Sequence, residues 1–143
     1  MTSQSKLFCG ILLLTVPTIQ YGGYFLLTIL SGKTNLPLTD FQKSMFRAGH
    51  AHAGVLVILA LLVQILIDDA DVSKPLELTL RIGFGLSAVL ISGGFFAAAV
   101  GKNITKPTPL ISILYLGIGV LAVSLIALGI ALINSSATSP SAG

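Results

Sequence analysis

With 143 residues, 54% of them hydrophobic and only 9% charged, the chain lacks the composition of an ordinary soluble domain, in which about a quarter of residues carry charge. Its net charge of +3 is small, and the cations are scattered among connections rather than gathered on one face, which argues against nucleic acid as a partner. The single cysteine, Cys9, excludes an internal disulfide and C-x-x-C chemistry.

About 20 apolar residues cross a bilayer as a helix, and four stretches meet that length, at 7–30, 45–67, 78–100 and 110–133. The expected fold class is therefore all-α, an integral membrane four-helix bundle in a multi-pass protein of a cell membrane such as the bacterial inner membrane. In the first stretch Lys6 precedes Leu7–Val16 in the manner of a secretion signal, but apolar residues continue to Leu30 without a small-residue cleavage site. It reads as a retained span. Pro17 is expected to kink it, and Gln20, Tyr21 and Tyr24 are expected to face inward.

Thr39 followed by Gln42 has capping-box spacing and sets a helix start near Asp40. Ser73-Lys74-Pro75 suits a third start, and Thr108-Pro109 a fourth. The segment 134–143, rich in Ser, Ala and Thr, reads as a disordered tail. Gly22, Gly23, Gly93 and Gly94 are expected at helix contacts, where small residues let backbones approach. Tyr21-Gly22-Gly23-Tyr24-Phe25 and Ser92-Gly93-Gly94-Phe95-Phe96 form a weak internal echo.

Lys33, Lys43, Arg47, Lys102 and Lys106 lie near the first and third connections, whereas Lys6, Lys74 and Arg81 accompany the acidic residues at the other side. The bias places the first and third connections in the cytoplasm and both termini outside it.

The chemistry-bearing feature is Phe46-Arg47-Ala48-Gly49-His50-Ala51-His52-Ala53-Gly54, which holds the only two histidines of the chain. Ionisable groups inside a span are functional candidates by default. Residues two apart point about 200° from each other on a helix, so His50 and His52 do not clamp one ion, and a third ligand for zinc or copper is missing. Haem b suits the pair better: one nitrogen holds the iron, apolar walls take the macrocycle, and nearby cations such as Arg47 meet the propionates. A pair of interfacial imidazoles that binds nothing is the plain alternative. A proton relay ranks lower, because no Asp or Glu lies in the second span.

Ala51-His52-Ala53-Gly54 opening the second of four spans, with Arg47 upstream, resembles the small membrane proteins that include styrene oxide isomerase and hydroxylaminobenzene mutase. The resemblance implies that His52 is the axial ligand of haem b at the interface of a homo-oligomer, a trimer, and that ferric iron acts as a Lewis acid on an epoxide or another small apolar substrate entering from the lipid bilayer. That family has an asparagine where this chain has Ile58, and a tyrosine where it has Phe96. With both hydrogen-bonding groups gone, Tyr24, Tyr21 or His50 would have to replace them in an enzyme. The reading that follows is a haem protein that is non-catalytic or transfers electrons, with the isomerase as its alternative and a cofactor-free accessory subunit of a membrane complex as a third possibility.

Overall fold

The computed structural model describes residues 1–138, and every regular element among them is helical. Helix α1 spans Ser3–Leu30, α2 Asp40–Leu66, α3 Lys74–Ala97 and α4 Ile111–Thr138, with a 3-10 turn, Ile67–Asp69, extending α2. All four helices are long and apolar enough to cross a membrane. The protein is a membrane-spanning four-helix bundle.

Local chemistry sets the helix starts. The Thr2 hydroxyl accepts the Ser5 N–H at the head of α1. At α2 the capping box is complete, since Thr39 Oγ1 accepts the Gln42 N–H and Gln42 Oε1 accepts the Thr39 N–H. Ser73 precedes α3, and Pro75 sits in its first turn, where a missing N–H leaves no bond unmade. Polar Lys74 and Glu77 therefore join the helix ahead of the apolar stretch. The fourth start differs from expectation: the Thr108 N–H and hydroxyl donate back to the carbonyls of Ala98 and Ala97, so α4 opens only at Ile111.

The expected tail is also shorter. α4 continues to Thr138, and Ser135 Oγ accepts the N–H of Asp71 while donating to the Ala131 carbonyl. This ties the last turns of α4 to the α2–α3 connection. The remainder of the expected tail lies outside the described residues.

Polar contacts sort the connections into two ends. At one, Thr39 Oγ1 donates to the Ile104 carbonyl, and Gln42 Nε2 donates to the carbonyls of Ala99 and Gly101 at 2.9 Å each. At the other, Asp68 accepts the backbone N–H and hydroxyl of Thr2, so the N-terminus meets the end of α2. There Arg81, fully buried, bonds to Ser5, Gln64, Asp68 and Glu77. Arg81 is thus an interior residue, contrary to its place among the surface cations. A side chain in the second turn of α3 points into the bundle when Glu77 lies one turn back and Asp68 and Gln64 face it.

Neighbours in sequence are neighbours in space: α2 packs on α1 and α3, and α3 on α4. α3 is the most buried of the four, while α1 and α4 turn most of their apolar side chains outward, as lipid-facing helices do. The α3–α4 seam is closed by glycine. A Cβ on Gly94 would stand 2.5 Å from the backbone nitrogen of Leu114, and one on Gly117 would stand 2.8 Å from that of Ile91. Gly22 and Gly23 likewise face His50, but Gly93 has nothing within 4 Å of a Cβ position, so it is not a contact glycine.

The two adjacent glycines should consequently respond in opposite directions. Gly94→Ala is expected to destabilise the protein by about 1–3 kcal/mol or more, because backbone must move away from backbone. Gly93→Ala should be neutral or stabilising by up to about 1 kcal/mol through helix propensity. Unfolding by denaturant in detergent ranks the pair; equal losses would contradict the seam.

Candidate functional site

His50 and His52 occur in the third and fourth turns of α2, at the end shared by the α1–α2 and α3–α4 connections. Both stay in helical register, so they diverge to different neighbours. His50 is half-buried against α1, where a Cβ on Gly23 would come within 2.8 Å of its Cε1 and Nε2 atoms. The α1 glycines leave the room that the imidazole fills. With Gln20, Gly54 and Ile58, His50 also lines a groove of about 260 Å³ between α1 and α2.

His52 is exposed and lies on the α3 side of α2. Its Nδ1 is 2.8 Å from the carbonyl oxygen of Ala48, one turn back. A carbonyl only accepts, so Nδ1 carries a proton, and in the neutral ring the lone pair then lies on Nε2. Phe95 of α3 stacks on the ring at a centroid distance of 4.7 Å and a tilt of 33°. The ring is oriented from two sides, and among the described residues no group bonds Nε2. A hydrogen bond that fixes the tautomer through one nitrogen is the usual support of a metal-binding imidazole on the other.

Around His52 the outer face of α2 is apolar. Ala51, Val55 and Ile58 are exposed on successive turns, with Val55 at 66% and Ile58 at 69%. Arg47, also exposed, stands one turn before Ala51 towards the helix start. The interior at this level is closed: Phe95 and Phe96 cover Gly49 within 3.1 Å of a Cβ position, and Phe46 packs on Phe96 with ring centroids 5.5 Å apart. The open side of the His52 ring therefore faces away from the bundle interior.

Tyr21 and Tyr24 do not join either histidine. They are 70% and 64% exposed, and neither bonds to nor stacks on another side chain among the described residues. Gln20 is exposed as well. The inward placement expected for the two tyrosines is overturned by the glycine pair: Gly22 and Gly23 turn towards α2, which rotates the tyrosines to the opposite side of α1, whereas Gln20 lines the α1–α2 groove beside His50. Among the described residues, no group of three His, Cys, Asp or Glu side chains is placed to hold a metal ion.

Sequence reasoning passed over two partners of His52. The Ala48 carbonyl is one turn back, a spacing visible in the sequence, whereas the Phe95 stack depends on how α3 docks against α2. Comparison with protein-family models, with curated proteins and with solved structures finds no match for this chain.

Proposed function

We propose that this chain is a membrane haem protein in which His52 Nε2 is the axial donor for haem b, held on the outer face of α2 and enclosed by a second copy. The carrying observation is the oriented His52 ring with its unbonded Nε2 on an apolar surface. The remaining residues suit the group. Ala51, Val55 and Phe95 offer apolar walls beside His52, and Arg47, exposed one turn before Ala51, supplies a cation towards the helix start. Haem bound there supplies an iron for electron transfer.

One protomer provides a single wall, since the closed interior behind Gly49 has no space for the macrocycle. A homo-oligomer completes the slot, and a trimer is the proposed form. His50 keeps a separate role, holding α1 against α2. The outer face of α2 near His52 supplies no hydroxyl or amide to orient a reacting epoxide, with Ile58 exposed where such a group would be required. A non-catalytic or electron-transferring role is therefore favoured over isomerisation.

Removing Arg81 from the surface charges leaves Lys6 and Lys74 opposed to five cations, Lys33, Lys43, Arg47, Lys102 and Lys106, at the histidine end. That bias orients the histidine end to the cytoplasm and both termini outside.

Protein produced with added haem and purified in mild detergent is expected to show a Soret band, and native mass spectrometry should find the haem on a multimer. Absence of the band from folded protein would remove the proposal. Haem confined to a monomer would remove the shared slot.

A further inference from the structure

We propose that the groove between α1 and α2 beside His50 binds the head of a lipid-soluble quinone, with the imidazole of His50 and the amide of Gln20 donating to its carbonyl oxygens. Both side chains line that groove, His50 from α2 and Gln20 from α1. Each can donate a hydrogen bond, and among the described residues neither has a hydrogen-bond partner. The ring nitrogens of His50 are also open to a guest, because among the described residues the Ser92 hydroxyl oxygen is the only unpartnered side-chain nitrogen or oxygen sealed beneath the surface.

Depth decides what these two groups require. Gln20 lies ten residues before the end of α1, and His50 lies ten residues after the start of α2. Both therefore stand about 15 Å inside the histidine end of their helices. At that level the bilayer offers no partner to an amide or an imidazole, and a polar group left unpaired in hydrocarbon is costly.

The shape fits one ring with a tail. His50, Gly54, Val57 and Leu61 recur along one face of α2, and Val16 and Gln20 face them from α1. A Cβ on Gly54 would meet nothing within 4 Å, so the groove is open one turn from the imidazole. It holds about 260 Å³, near the lower end of small-molecule sites at roughly 300 Å³. From its polar end at His50 and Gln20 it runs towards the middle of the spans at Val16 and Leu61, which directs an apolar tail into lipid.

The chemistry selects the head. No charged side chain lines the groove, so a phosphate or carboxylate would go unpaired. A lipid alcohol would meet one of the two donors and leave the other. A flat, neutral ring with two acceptor oxygens meets both. The choice of a quinone among such rings rests on the electron-transferring reading above, for which it supplies a carrier soluble in the same bilayer; the groove and its two donors do not depend on haem.

With only two histidines in the chain, their ring nitrogens are a direct probe. The full chain, isotope-labelled at histidine nitrogen and purified in detergent without added haem, is titrated with decylubiquinone, and His52→Ala assigns the two NMR signals. The His50 signal is expected to shift saturably while that of His52 stays in place. Gln20→Leu should fold, since Gln20 is exposed, and should raise half-saturation about fivefold for one lost hydrogen bond. Gly54→Leu fills the open space and should abolish the saturable shift. Unchanged half-saturation in both variants, or equal unsaturable shifts at both histidines, would overturn the site. An equal response to decylcyclohexane would overturn recognition of the oxygens, and tighter saturation by decanoate would overturn the neutral head. A His50 signal that moves on dilution of the protein but not with quinone would assign the groove to a second copy instead. Failure of this titration leaves the Soret measurement standing, whereas a missing Soret band leaves the titration intact and removes only the reason for preferring a quinone.

Discussion

Arg81→Ala is expected to destabilise the bundle by about 3–5 kcal/mol, the scale found when one partner of a buried ion pair is removed. Arg81 is 0% exposed. Its Nη2 donates to Asp68 at 2.7 Å and to Glu77 at 2.9 Å, and its Nη1 donates to the hydroxyl of Ser5 and the backbone carbonyl of Gln64 at 3.0 Å each. One guanidinium therefore joins the first turn of α1, the last turn of α2 and the second turn of α3. It also shares the Gln64 carbonyl, near the end of α2, with the Ser5 hydroxyl. Truncation leaves Asp68 and Glu77 at low exposure with no buried cation, because Lys74, which reaches Glu77 at 2.8 Å, is 86% exposed and the Met1 ammonium, 3.8 Å from Asp68, is 39% exposed.

Arg81→Lys should recover only part of the loss, since an ammonium cannot fork to two carboxylates and a carbonyl as a guanidinium does. Unfolding in mixed micelles measures the order wild type, Lys, Ala. Proteolysis should reach the first residues of α1 soonest in the Ala variant. A loss below about 1 kcal/mol would mean that the cluster is loosely solvated and staples nothing.

The spans and the capping box at Thr39 were legible because each depends on residues within a few positions of one another. The divergence of His50 and His52 was legible for the same reason, as it follows from helical period alone. Arg81 was harder. Read singly it is a cation near a helix end, and its burial becomes visible only when Glu77 at i−4 is taken together with Gln64 and Asp68, themselves i,i+4 on the preceding helix. Tyr21 and Tyr24 misled because polarity was taken to decide the inward side of α1, whereas close approach at Gly22 and Gly23 decides it. Gly93 shows the converse: a small residue marks a contact at Gly94 but open space one position earlier. Which of two adjacent glycines touches a neighbour depends on the rotation of α3, and no local pattern encodes that.

His52→Ala is expected to abolish haem retention while leaving the fold intact. Its side chain is exposed, and its contacts are one local carbonyl and one aromatic face, so truncation should cost little stability, within about 1 kcal/mol. If His52 holds haem as proposed, the same truncation would by contrast remove the nitrogen that binds the iron. Imidazole added to the buffer should restore part of the Soret band in this variant, a rescue that a merely structural role would not produce. His50→Ala should behave in the opposite way, keeping haem and losing stability by about 1–3 kcal/mol, because the ring that fills the space above Gly22 and Gly23 leaves a void between α1 and α2. Spectra and unfolding curves of the two variants, taken side by side, separate the roles. Full haem in His52→Ala with loss in His50→Ala would move the site to the α1–α2 groove and reverse the assignment of the two faces.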